Sequence, residues 1–250
     1  MRITTIATQK GGVGKTTTAL SLAEQLTRKG LSVLLIDCDQ QQNASQNMRA
    51  DLDRGGIYEI MTGEKKAAGL IQRTERGDII PATDSLIGAD GQFAGKLDTL
   101  AKVIRPIRND YDHIIVDTPP SICAITLTAI TASTDIIIPL EAAFFSVQGL
   151  EQLIYYLDQI RNSTEYDPQI AGLLFTKYNK RETLAQQYRE ALDQRANDLG
   201  LHVYRTEIRS SAAVKKAQAL GEGLFSFDPR STSALDYADF VEEYLAQETE

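Results

Sequence analysis

Eight consecutive residues near the start of the chain, Lys10 to Thr17 (KGGVGKTT), have the types and spacing to hold a polyphosphate. Gly11, Gly12 and Gly14 let the backbone curl so that successive N–H groups face one anion, with Val13 carried in the same cradle. A helix opening at Lys15 would add its positive dipole end. Lys15 is then expected to pair with the β- and γ-phosphates, Thr16 to place its hydroxyl on Mg²⁺, and Thr17 to contact the α-phosphate. ATP with Mg²⁺ is the ligand this chemistry suits. A strict GxxxxGK[ST] loop would have glycine where this chain has Gln9, so the match is to a variant. Further along, HIIVDTPP (His113 to Pro120) reads as an apolar strand that delivers Asp117 to a sheet edge, where it can hold Mg²⁺ through water.

These groups meet only if a strand ends at the loop and a helix starts behind it. Strands are predicted at Ile3 to Ala7, Ser32 to Ile36, Asp78 to Ile80, His113 to Val116, Asp135 to Pro139, Ile170 to Phe175 and His202 to Arg205. Most are apolar and β-branched on both faces, as parallel strands covered by helices are. Helices are predicted at Thr16 to Lys29, Phe93 to Arg105, Ser146 to Arg161, Thr183 to Leu199 and Ser233 to Leu245, with Gly30 as a helix stop. This alternation predicts an α/β fold: one domain over residues 1–250, with a mostly parallel twisted sheet and helices on both faces.

Composition narrows the function classes. No run approaches the roughly 18 apolar residues of a membrane span. The N-terminus enters a strand directly, which argues against an export signal. The two cysteines, Cys38 and Cys123, have no metal-ligand spacing and fit a reducing cytoplasm. Net charge is −8, yet Lys177 to Lys216 holds nine basic against five acidic residues. Such a local excess suits phosphate contacts that the average would disfavour. His113 and His202 open strands and are expected to be structural, and Leu153, Tyr155 and Tyr156 are spaced for packing.

The second lysine of the loop, Lys10, makes KGGxGKT[TS] resemble the deviant Walker A motif of the ParA/MinD superfamily. LLIDCDQQQNAS resembles that family's DxDPQGNAS segment, with Gln40 and Gln42 in place of its Pro and Gly. IIIPLEAAFFSVQGLEQL, GLLFTKYNKRETL, VYRTEIRSS and FDPRSTSALDYADF also look like successive ParA/Soj segments, so the resemblance spans essentially the whole chain. It implies that Asp37 supports the Mg²⁺ shell, that Asp39 activates the attacking water, and that Lys10 reaches the nucleotide of a partner subunit. Catalysis would then rest on Lys10, Lys15 and Asp39. The loop from Arg209 to Ser211 falls where relatives contact adenine.

The resemblance further implies an ATP-dependent homodimer, slow hydrolysis, non-specific binding to double-stranded DNA on the nucleoid, and stimulation by a ParB-type centromere-binding protein. Arg181 falls at one family DNA-binding arginine. The second falls at Ala213, and Arg209, Lys215 and Lys216 are candidates to replace its charge. The loop starts so near Met1 that no N-terminal helix-turn-helix domain is expected. The alternative is a membrane-cycling cell-division ATPase of MinD type. The tail ALDYADFVEEYLAQETE, acidic and without Lys or Arg, is expected to be repelled by an anionic leaflet.

Overall fold

In the computed structural model, residues 1–142 and 146–247 are described. Residues 143–145, inside IIIPLEAAFFSVQGLEQL, and 248–250, which include Glu248 and Glu250 of the acidic tail, lie outside the described residues.

Among the described residues the sheet has eight strands: β1 (Arg2–Ile6), β2 (Val33–Asp37), β3 (Gln72–Thr74), β4 (Gly77–Ile80), β5 (His113–Asp117), β6 (Asp135–Leu140), β7 (Gln169–Tyr178) and β8 (Ile208–Arg209). Their order is β3-β4-β2-β5-β1-β6-β7-β8, parallel throughout except for the antiparallel β3–β4 pair. The chain therefore leaves β1 toward one edge of the sheet and, from β6 onward, fills the other. In open sheets of this kind, ligands sit beyond the carboxyl ends of strands at such a reversal.

Continuous apolar strands fit because both faces are covered. Val33 and Leu35 of β2 face a core shared with the first helix, α1 (Lys15–Arg28), and the final helix, Thr232–Ala246. Leu34 and Ile36 face the opposite core with Ile114 and Val116. The final helix buries Tyr237, Phe240, Val241 and Tyr244 against α1 and the sheet, and Phe240 to Ala there would cost about 3–5 kcal/mol. Its apolar face is thus spent inside the protein. Among the described residues, no helix is long and apolar enough to cross a membrane.

Two expectations fail. Phe93 to Arg105 is two short helices, Asp90–Phe93 and Thr99–Ile104, with Gly95 between them in the left-handed region (φ 74°). His202 to Arg205 is no strand but a single bridge from Val203 to Leu173, and the last strand is instead Ile208–Arg209. The sequence reading also passed over the helices Ala124–Ala132 and Ala212–Leu220. Gly30 does end α1, with φ 85° and its N–H on the Thr27 carbonyl.

Candidate nucleotide site

The loop between β1 and α1 takes its shape from glycine. Gly12 and Gly14 adopt φ 76° and 89°, conformations costly for other residues, and Gly14 occupies the cap position of α1. Among the described residues no side chain caps that helix, which leaves its first-turn N–H groups for an anion. Val13 is buried, and its carbonyl accepts a hydrogen bond from the Thr176 hydroxyl at 2.7 Å, so β7 pins the loop from behind. Lys15 is also buried. Its ammonium donates to the carbonyls of Lys10 (3.0 Å) and Thr8 (3.3 Å). Burial lowers the Lys15 pKa, against the pull of Asp117 and Asp39.

Asp37 and Asp117 end neighbouring strands in direct register, and Asp117 is also in register with Ile6 at the end of β1. Both are fully buried, yet their surroundings differ. Asp37 accepts hydrogen bonds from the Asp39 N–H (3.0 Å), the Ser45 N–H (2.8 Å) and the Ser45 hydroxyl (2.7 Å). Its carboxylate is occupied in holding the loop after β2 closed. Among the described residues, neither oxygen of Asp117 has a partner of normal hydrogen-bond geometry. Burial, then the charge of Asp37, pushes the Asp117 pKa well above the carboxylate range despite the Thr16 hydroxyl and Lys15 ammonium nearby. Burial likewise raises Asp37 to about 6. An orphaned buried carboxylate beside a helix N-terminus fits a cation. Among the described residues, no group of three or more His, Cys, Asp or Glu forms a metal cage by itself. A hard cation such as Mg²⁺ would therefore complete its shell with phosphate oxygens and water.

The residues Gln40 and Gln42 fall in the loop after β2. Gln42 takes φ 56°, ψ 23°, the left-handed conformation that glycine adopts freely, and its amide donates to Asp84 at 2.6 Å. The chain thus reaches the backbone shape of a glycine loop without the glycine. Asp39 lines the cleft nearby and accepts the N–H of Gln41 at 3.0 Å.

The cleft encloses about 780 Å³, ample for a nucleotide. Gly11, Gly12, Gly14, Lys15, Thr16, Thr17, Asp39, Arg209, Ser211 and Lys215 line it, whereas Lys10, Val13, Asp37, Asp117, Arg181 and Lys216 do not. Asn43, Gln46, Lys177 and Gln218 line it too. Sequence reasoning gave them no role at the site, although Asn43 lies in LLIDCDQQQNAS and Lys177 in GLLFTKYNKRETL. On the wall opposite the loop, Arg209 is clamped by Asp236 of the final helix, through its backbone N–H (2.8 Å), Nε (2.9 Å) and Nη2 (2.6 Å). The hydrogen bonds to Asp236 raise its pKa. In the adjoining helix Ala212–Leu220, Val214, Lys215 and Gln218 face the cleft, at helical spacing. Gln218 donates to the Thr17 hydroxyl at 3.0 Å, bridging the two walls. Lys215 and Lys216 are thereby separated: the first faces the cleft and the second is exposed away from it.

At the rim, Lys10 pairs with Glu141 at 2.7 Å and Lys177 pairs with the other oxygen of the same carboxylate at 3.0 Å. Lys177 itself has φ 52°, a left-handed backbone that costs about 1–2 kcal/mol. Arg181 is exposed in the turn after β7, where its backbone N–H is held by Asn179.

A glycine loop between the first strand and an uncapped helix, with two acidic strand ends in register beside it, defines a P-loop ATPase. A family model described as "AAA domain" matches residues 1–170. The chain is 34% identical to the chromosome-partitioning ATPase Soj of Thermus thermophilus, covering 97% of this chain and 94% of that one. It is 33% identical to the chromosome partitioning protein ParA of Caulobacter vibrioides, over 99% and 95%. Cobyrinic acid a,c-diamide synthase from Mycobacterium smegmatis, solved with a bound ATP analogue and magnesium, superposes with a TM-score of 0.85 at 27% identity, over 100% and 96%. The chain belongs to the ParA/Soj family of ATPases, which use ATP and Mg²⁺.

Proposed function

We propose that this chain is a DNA-partition ATPase, a switch that pairs on ATP, holds double-stranded DNA without sequence preference, and lets go after hydrolysis. The single observation that carries the catalytic half is the pair of unsatisfied Asp117 oxygens next to the uncapped start of α1. Gly11 to Gly14 and the N–H groups of Lys15, Thr16 and Thr17 would cradle the phosphates, and the Lys15 ammonium would exchange two loop carbonyls for phosphate oxygens. Thr16 would hold Mg²⁺ with Asp117 and Asp37 supporting its water shell; the ion supplies charge neutralisation on the β- and γ-phosphates. Asp39, held at the cleft edge, would accept a proton from the attacking water. Lys10 would cross to the nucleotide of a second copy. Arg209 and Ser211 would sit against the base.

The relatives' printed roles in chromosome partitioning support the biological half. DNA would meet the locally basic stretch from Lys177 to Lys216, through Arg181 and Lys216, which are exposed outside the cleft, with Lys215 and the half-exposed Arg209 at the cleft wall adding charge, as a protein of the cytoplasm associated with the nucleoid. A ParB-type protein would trigger hydrolysis. A membrane-cycling reading lacks support, because the apolar face of the final helix is buried in the core.

Co-sedimentation with plasmid DNA in low salt, with no nucleotide, ADP or ATP, tests the reading: binding is expected with ATP and Mg²⁺ alone. Equal binding in all three states would overturn it. In parallel, Asp39→Ala should bind ATP and DNA yet not turn over, and an unchanged hydrolysis rate would remove Asp39 from the chemistry.

A further inference from the structure

Lys10, Glu141 and Lys177 come to the cleft rim from three segments: the phosphate loop, the residue after β6 and the end of β7. Each oxygen of Glu141 takes one ammonium, Oε2 that of Lys10 at 2.7 Å and Oε1 that of Lys177 at 3.0 Å. Burial alone would raise this carboxyl, but the hydrogen bonds from Lys10 and Lys177 hold it below its ordinary range. An ammonium bound to a carboxylate inside its own chain must give up that contact before it can serve an anion elsewhere. The contact is charge-assisted and short, and both partners keep some solvent, with 42% and 25% of their side chains exposed. It is therefore a hold that a triphosphate can outcompete, not a lock.

We propose that Glu141 is a positioning residue that parks Lys10 within the single chain and so sets the ATP concentration at which two copies pair. This rests on the reading that Lys10 serves the nucleotide of the second copy. Pairing then includes an exchange in which Lys10 trades a carboxylate for a phosphate oxygen, and Glu141 is left to Lys177. Lys177 competes for the same carboxylate, so it weakens the hold on Lys10. The two residues act on pairing with opposite signs; Lys177 also lines the cleft, so once any change in nucleotide affinity is divided out, its remaining effect on pairing runs through Glu141.

The test is a titration with Mg²⁺ and a non-hydrolysable ATP analogue, reading monomer and dimer by sedimentation velocity. Nucleotide affinity of the monomer is measured in parallel with a fluorescent analogue, so that pairing shifts are corrected for binding. Glu141→Gln is expected to lower the pairing midpoint about two- to five-fold, the scale of a partly exposed ion pair. Lys177→Met is expected to raise it, and to have no effect in the Glu141→Gln background, as a double-mutant cycle requires of residues that act through one another. A midpoint unchanged or raised by Glu141→Gln overturns the proposal, as does a Lys177→Met effect that persists in the double variant. If Glu141→Gln does not fold, Lys177→Met alone decides, since an unchanged midpoint overturns it. Lys10→Ala separates the two readings. If that variant still pairs with nucleotide, the cross-subunit role of Lys10 fails and this proposal falls with it. If it does not pair while Glu141→Gln leaves the midpoint unmoved, only the assignment to Glu141 fails.

Discussion

At the phosphate end of the cleft, the loop from Thr8 to Gly14 presents backbone N–H groups, and Lys15 at the start of α1 adds one buried ammonium. The opposite wall, Arg209 to Gly221, presents side chains, among them Arg209, which Asp236 of the final helix holds from 27 residues further along the chain. The first end is made by local conformation: two left-handed glycines, an uncapped helix and a carbonyl pinned by Thr176. The second is made by tertiary pairing, with Asp236 fixing Arg209 and Gln218 meeting Thr17. Affinity for a triphosphate should therefore survive damage to the second wall better than damage to the first, while folding should respond the other way.

Lys15→Met tests the first half of that contrast with the largest expected effect. Loss of the buried ammonium should cut turnover about a hundredfold or more and weaken nucleotide binding, as measured by steady-state phosphate release and equilibrium titration. Thermal stability without ligand should hold or rise, because a charge that burial disfavours is removed.

Asp236→Ala tests the second half. It strips a buried acceptor from the Arg209 N–H and guanidinium, and should cost about 1–3 kcal/mol in urea denaturation with only a modest change in phosphate affinity. A stability change near zero would show that the far wall does not depend on the final helix.

Within the phosphate end, Asp37 and Asp117 sharpen the comparison, because one is satisfied and the other is not. The folded-state pKa of Asp117 lies above its unfolded value of about 3.9, so the folded chain binds more protons there and loses stability as pH rises above about 4. Asp117→Asn should consequently stabilise the ligand-free protein at pH 8. The gain should shrink as pH falls toward 4, and the variant should lose the added stability that Mg²⁺ with ATP confers on the parent. Melting temperatures across pH, with and without Mg²⁺ and ATP, read all three.

The smallest effect belongs to the loop after β2. Gln42→Ala keeps the left-handed strain and loses the Asp84 contact, and should cost about 1 kcal/mol; Gln42→Gly should recover about that amount by removing the Cβ. Chemical denaturation of the pair measures the difference.

The same contrast explains what could be read from the sequence. The glycine loop and the strands ending at Asp37 and Asp117 are local patterns, and the structure places them within a residue or two of where periodicity put them. The helix Ala124–Ala132 was invisible because AITLTAITA is buried on almost every side, and so shows no amphipathic period. The predicted helix from Phe93 to Arg105 overlooked Gly95, whose left-handed backbone interrupts it. Asp236 and Glu141 escaped notice for another reason. Their meaning lies in which cation the fold brings to them, and no spacing along the chain encodes a pairing between separate elements.

Asp236 and Tyr237 are consecutive residues of the final helix, and they touch opposite sides of the cleft: Asp236 holds Arg209, and the Tyr237 hydroxyl meets Thr18 of α1 at 3.0 Å. A ligand that draws the two walls together thus tightens both footings of one helix. The amide protons of Thr232–Ala246 should then exchange more slowly with solvent when nucleotide is bound, which makes this helix a reporter of occupancy that itself carries none of the phosphate chemistry.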